Sequence, residues 1–246
     1  MGFWAALQFL TIFPTPLHRQ ASIEETGRSL SYFPAVGLIL GLILLGADYL
    51  FSLVLPTSVV SALLIAVLVV LSGAHHLDGF IDTCDGVIAG KSKGERLAIM
   101  ADSKVGAFGI SGALLLLLVK YAALWAILQQ LRLPALLLMP TLSRCLMVWA
   151  VFAFPYARTS GTGLAFKRGA NWSKLAIATV ITLAVSLILL GWWGAVLMAA
   201  LWLLAFGIAS YLNSRLGGLT GDSYGAINEV TEVMTLLLLI PLAGWL

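Results

Sequence analysis

Six of the eleven acidic residues of this chain fall in two short stretches, and a seventh, Asp102, follows the first of them. In the first, His75-His76-Leu77-Asp78-Gly79-Phe80-Ile81-Asp82-Thr83-Cys84-Asp85-Gly86, aspartates recur at i, i+4 and i+7, which is one face of a helix if the segment is helical. Three carboxylates on one face repel each other unless a cation compensates them. Hard divalent cations such as Mg2+ take oxygen ligands and are typically held by a few carboxylates together with phosphate oxygens. Asp78, Asp82 and Asp85 are therefore candidate metal ligands, with a diphosphate completing the site. The bland alternative is a solvated helix start.

Downstream, Asp102-Ser103-Lys104-Val105-Gly106-Ala107-Phe108-Gly109 brings a carboxylate, a hydroxyl, a cation and two glycines to the start of an apolar run. That composition lets backbone N–H groups approach a phosphate at a helix N-terminus; an ordinary N-cap would need only Asp102 or Ser103. The second acidic stretch, Gly217-Gly218-Leu219-Thr220-Gly221-Asp222-Ser223-Tyr224-Gly225-Ala226-Ile227-Asn228-Glu229-Val230-Thr231-Glu232, again sets glycines before spaced carboxylates. Asp222 and Glu229 are i, i+7, and the glycine density exceeds what a structural turn requires. Lys120 and Arg144 lie inside apolar runs, where a charged residue is costly and either meets a substrate phosphate or pairs with a buried carboxylate. His75 and His76 point about 100° apart on a helix, and no His-Glu-x-x-His or paired-cysteine spacing accompanies them, which disfavours zinc. A hydrogen-bonding role for His76 beside Asp78 fits better. Nucleophile-elbow and Walker motifs are absent.

The elements that must position these residues are membrane spans. Of 246 residues, 61% are hydrophobic and 10% charged, against roughly 45–50% and 25% in soluble domains. The expected fold is all-α, a polytopic helix bundle of about seven transmembrane or half-membrane helices forming a single catalytic domain over 1–246. Spans are expected at Ser31 to Leu55, Thr57 to Ala74, Gly106 to Leu128, Pro134 to Phe154, Lys174 to Leu190, Trp192 to Leu212 and, shorter, Val233 to Leu246. Gly2 to Phe13 is too short to cross and is expected to be an interfacial or re-entrant helix. Asp48 is expected at the interface opposite the acidic loops.

Eleven of the fourteen Lys and Arg residues, Arg19 among them, fall in one set of alternate loops, and Arg132 alone falls in the other. By the positive-inside rule the N-terminus and both acidic loops face the cytoplasm. The net charge of +3 reflects this asymmetry and not a nucleic-acid surface. Cys84 and Cys145 are isolated and expected to be reduced.

His76-Leu77-Asp78-Gly79 through Asp82-Thr83 and Asp85-Gly86, then Asp102-Ser103-Lys104 with Gly106 and Gly109, then Gly218, Thr220-Gly221-Asp222, Gly225-Ala226 and Glu229, resemble the adenosylcobinamide-GDP ribazoletransferase (cobalamin-5′-phosphate synthase) family. Phe33-Pro34, Lys120-Tyr121, Ser143-Arg144 and Tyr156-Ala157-Arg158 extend the likeness over nearly the whole chain. The resemblance implies a multi-pass inner-membrane enzyme of late cobalamin biosynthesis. Such an enzyme uses Mg2+ to join adenosylcobinamide-GDP to α-ribazole or its 5′-phosphate and releases GMP.

On that resemblance Asp78, Asp82 and Asp85 would hold Mg2+, with Asp102 or Asp222 joining from the other loops. Lys120, Arg144 and Arg158 would meet phosphate oxygens, and Asp222 or Glu229 would orient or deprotonate the hydroxyl. His76, Ser103, Lys104, Gly218, Thr220 and Gly221 would line the substrate. Self-association, or association with other cobalamin-assembly enzymes, is left open. Two rivals remain. One is a CDP-alcohol phosphatidyltransferase, whose Ala-Arg pair is missing here and whose aspartates are more widely spaced. The other is a cation-coupled transporter, which would place acids near midplane in broken helices.

Overall fold

The computed structural model describes residues 2–16 and 22–244, with Ile23 described by its backbone alone. Arg19 and the last two residues of the expected seventh span lie outside them. The helices are α1 (Gly2–Leu10), α2 (Ile23–Ser29), α3 (Phe33–Ser52), α4 (Thr57–Leu71), α5 (His75–Ala89), α6 (Lys93–Ile99), α7 (Ala107–Ala126), α8 (Gln129–Ala153), α9 (Thr162–Gly169), α10 (Trp172–Leu190), α11 (Trp192–Leu216) and α12 (Gly221–Leu242). Among the described residues the only β-type pairing is an isolated parallel bridge between Tyr156 and Leu219. Six helices, α3 (with α2 continuous before it), α7, α8, α10, α11 and α12, are long and apolar enough to cross a membrane. The all-helical polytopic bundle read from the sequence is the architecture found.

α8 is the central post: nine-tenths of its most apolar stretch is buried inside the protein. Apolar side chains gain little by leaving lipid for a helix interface, so close packing between spans depends on small residues. Where α3 crosses α8, an added Cβ on Gly41 would lie 2.7 Å from the Leu136 carbonyl oxygen, and one on Gly37 would collide with the Pro140 carbonyl. α8 starts at Gln129, earlier than expected, and runs through Pro134 and Pro140. Its one turn beyond the expected boundary carries Arg132, whose Nε donates to Asp48 Oδ1 at 2.8 Å. Asp48 is thus buried in an ion pair rather than turned to the opposite interface.

Two further boundaries matter for the site. Between α4 and α5 the chain turns through 89° at Gly73 and Ala74, both with left-handed φ (62° and 56°), so the aspartate-bearing helix runs across the bundle end instead of continuing the span. The last span is the larger departure. α12 begins at Gly221, so the second acidic stretch is not a loop preceding a span but the first three turns of the span itself. Its start is fixed by Thr220 and Ser223, each side-chain oxygen accepting the other's backbone N–H at 3.1 and 3.2 Å. α1 packs against α2 and α3 with Ala5, Ala6, Leu7 and Leu10 buried.

Candidate active site

The site forms where α5 crosses the first turns of α12, and glycine makes that crossing close. A Cβ on Gly79 would lie 2.9 Å from the Asp222 Cα and carbonyl oxygen, and one on Gly225 would lie 2.9 Å from the His76 carbonyl oxygen. These are backbone obstacles that no rotamer change relieves. The crossing carries Asp78 and Asp82 on α5 to Asp222 on α12. Gly79→Ala is accordingly expected to lower turnover by about 10-fold to 100-fold by separating the helices while every charged group remains. Steady-state rates with the folded fraction checked by size exclusion test this, and wild-type activity in that variant would show that the crossing tolerates a methyl group.

Three carboxylates in one place leave an electrostatic mark. Burial first, then the negative charges of Asp78 and Asp222, push the half-buried Asp82 carboxyl up to about 6, with Arg158 opposing the rise. Arg158 Nη2 lies 2.9 Å from Asp222 Oδ2, and the Thr220 hydroxyl donates to the same oxygen at 3.3 Å. The Arg158 loop is tied to the α12 start through backbone: Ala157 N–H donates to the Leu219 carbonyl and Leu219 N–H to the Pro155 carbonyl, both at 2.8 Å. Gly218 lies against that loop, its added Cβ falling 2.8 Å from the Ala157 nitrogen.

Among the described residues, no three His, Cys, Asp or Glu side chains converge closely enough to hold a metal by themselves. Mg2+ does not ask for that. It keeps several waters and is commonly bound by one or two carboxylates plus substrate phosphates, and oxygen-only donors that raise one another's proton affinity fit such an ion.

The other expected site residues are placed differently. Asp85 accepts the Gly106 N–H at 2.7 Å and the Gly109 N–H at 2.8 Å, one on each oxygen. The N-terminus of α7, expected as a phosphate cradle, is thus filled by the chain's own carboxylate, and Asp85 anchors α7 to α5. Asp102 is exposed and accepts the Lys104 N–H at 3.2 Å within its own loop; Ser103 and Lys104 are exposed beside it.

Lys120 and Arg144 are not free to meet phosphate oxygens. Lys120 Nζ donates to Glu229 Oε2 at 2.6 Å and to Glu232 Oε2 at 2.7 Å, and Arg144 Nη1 pairs with Glu232 Oε1. Glu229 and Glu232, expected in a loop, are 4% and 0% exposed on α12. A span tolerates them because each charge has an opposite partner within the bundle.

Beside the acids opens a cavity of about 220 Å3 lined by Asp78, Asp222 and Arg158 together with His76, Tyr156 and Tyr224. Phe9, Phe33, Phe166, Met147 and Val151 form its apolar part. His76 is buried, and that burial, followed by the positive charge of Arg144, holds its imidazole well below the ordinary histidine range. Tyr224, Phe9 and Phe166 carry no site role in the sequence reading, and Phe33 enters only through the family likeness; the four sit on four different helices. Glycine neighbours, Gly163 under Tyr156 and Gly225 after Tyr224, were the only local signal.

A model of the family described as cobalamin-5-phosphate synthase matches residues 2–240. The chain belongs to that family. Curated relatives of this cobalamin-5-phosphate synthase family carry the name adenosylcobinamide-GDP ribazoletransferase. The protein from Geotalea daltonii is 40% identical over 242 residues, covering 98% of both chains. That from Desulforamulus reducens is 36% identical over 236 residues, 96% of this chain and 94% of its own. That from Pseudomonas syringae pv. syringae is 37% identical over 244 residues, 97% and 98%. No solved structure matches the chain.

Proposed function

We propose that this protein is an Mg2+-dependent transferase that joins adenosylcobinamide-GDP to α-ribazole or α-ribazole 5′-phosphate, releasing GMP, late in cobalamin biosynthesis. The observation that carries the reading is the α5–α12 glycine crossing, which puts Asp78 beside Asp222 and Arg158 in the lining of a cavity, with Asp82 within reach of their charges. Family membership supplies the reaction, and the geometry is suited to it.

Asp78 and Asp82 would hold Mg2+, which would supply charge neutralisation to a diphosphate. The chain's own residues do the rest. Arg158, already held by Asp222 on a loop fixed through Leu219, presents its remaining N–H groups to phosphate oxygens. Asp222, oriented by Thr220, is placed to accept the proton of the attacking hydroxyl as the bond to GMP breaks. Gly221 lines the cavity and Gly218 fixes the Arg158 loop, while Ser103 and Lys104 lie in the adjoining exposed loop. Asp85 acts by anchoring α7, and the network of Lys120, Arg144, Glu229 and Glu232 supports the floor behind His76.

The basic-loop asymmetry supports a reading in which this end of the bundle faces the cytoplasm from the inner membrane.

The test is a product assay on protein held in detergent or liposomes with adenosylcobinamide-GDP, α-ribazole 5′-phosphate, then α-ribazole, and Mg2+, following GMP and the corrinoid by mass. A cobalamin product that stops with chelator is expected. Folded protein that yields none from either acceptor would overturn the assignment.

A further inference from the structure

The cavity beside the acids has two features that phosphoryl chemistry does not use. Its apolar part is built from aromatic rings already in contact with one another. Phe9 and Phe166 have centroids 4.6 Å apart at 61°, Phe33 and Phe166 5.5 Å apart at 75°, and Phe9 stacks on Phe33 at 6.0 Å. Phe33 and Phe166 are 1% and 3% exposed, so these rings form the enclosed end, whereas Asp78, Asp222 and Arg158 stand where solvent reaches.

The second feature is unmet hydrogen bonding. His76 is 4% exposed and neither Nδ1 nor Nε2 has a partner among the described residues; Tyr224 is 3% exposed and its Oη has none. Buried polar groups are almost always satisfied, and both of these line the cavity. A ligand that completes them must combine flat apolar faces with a hydrogen-bonding edge.

We infer that the cavity seats the planar aromatic base of the hydroxyl-bearing nucleoside, its faces against the phenylalanines and a ring nitrogen toward His76 and Tyr224. The inference rests on the proposed transferase reading, since it assigns one of the two substrates to a place. A base lodged on Phe33 and Phe166 leaves its ribose at the mouth, beside Asp78 and Asp222, where the attacking hydroxyl is needed. A volume of about 220 Å3 takes one fused ring system with part of a sugar and excludes a corrin macrocycle. The leaving nucleotide's guanine is the competing aromatic group. Titration with the donor, which carries that guanine, reads its claim on the cavity directly.

The experiment is a calorimetric titration of the full chain in lipid nanodiscs with α-ribazole, and separately with adenosylcobinamide-GDP, both without Mg2+ so that no turnover occurs. Phe166→Leu keeps apolar volume and removes the flat face; Tyr224→Phe keeps the ring and removes the hydroxyl. The expected result is α-ribazole binding weakened about 10-fold by Phe166→Leu, as for loss of a stacking ring, and several-fold by Tyr224→Phe. The KM for the acceptor should rise in parallel, and donor affinity in both variants should stay at the wild-type value, which also reports that they are folded.

Three results would overturn the inference: wild-type protein that does not bind α-ribazole, acceptor binding unchanged in both variants, or weakening confined to the donor. The last would give the cavity to guanine. Failure of the transferase reading is seen separately, as absence of GMP release in the product assay, because the α-ribazole titration involves no turnover.

Discussion

Asparagine in place of Asp82 is expected to reduce GMP release by about 10^3-fold, the scale of losing one preorganised charged group at a phosphoryl site, while the protein becomes no less stable. The two halves of this expectation come from one fact. Burial of Asp82, and then the charges of Asp78 and Asp222, make its ionised form costly, which is why its carboxyl is pushed up to about 6. An amide of the same shape relieves the repulsion, so thermal stability should hold or rise. A structural residue would show the reverse pattern, with activity tracking the folded fraction. The measurement pairs initial rates over a range of Mg2+ with melting curves of the same preparations. Activity within 10-fold of wild type would remove Asp82 from the metal site.

Glu232→Gln is expected to act in the opposite sense, on the bundle first. Glu232 is fully buried and bridges Lys120, at 2.7 Å, to Arg144. Removing one member of a buried charge cluster leaves an uncompensated ion and typically costs about 3–5 kcal/mol, which for a chain of this size lowers Tm by about 10 °C. Glu229→Gln should cost less, because Lys120 keeps Glu232. Removing Lys120 and Glu229 together, as Lys120→Met with Glu229→Gln, should cost less than the sum of the single changes. Melting curves in one detergent read wild type, the three single variants and the double variant. A Glu232→Gln shift of under about 2 °C would mean that the buried charges are satisfied by something other than each other.

The sequence carried the fold class and most of the spans because apolar runs report directly on burial in lipid. It carried the acid cluster on α5 because the i, i+4, i+7 spacing is local. The start of α12 was hidden for a physical reason: Glu229 and Glu232 read as loop residues by hydropathy. The partner that allows them to be buried, Lys120, lies 109 and 112 residues away. Lys120 and Arg144 carried the same ambiguity, since a cation in a span is equally suited to a phosphate or to a carboxylate.

Asp85 shows a different limit. Its spacing makes it equivalent to Asp78 and Asp82, and only the approach of Gly106 and Gly109 separates its role from theirs. The cavity was least legible of all. Phe9, Phe33, Phe166 and Tyr224 are individually ordinary residues on α1, α3, α9 and α12, and only the packing of those four helices makes them one surface.

The charge cluster of Lys120, Arg144, Glu229 and Glu232 also imposes an order on biogenesis. Its cations belong to α7 and α8 and its carboxylates to α12, which follows both of them in the chain. Until α12 inserts, two spans already delivered to the bilayer hold charges with no counterion of their own, a condition that lipid penalises. The helix that completes the acid cluster is therefore also the one that neutralises α7 and α8.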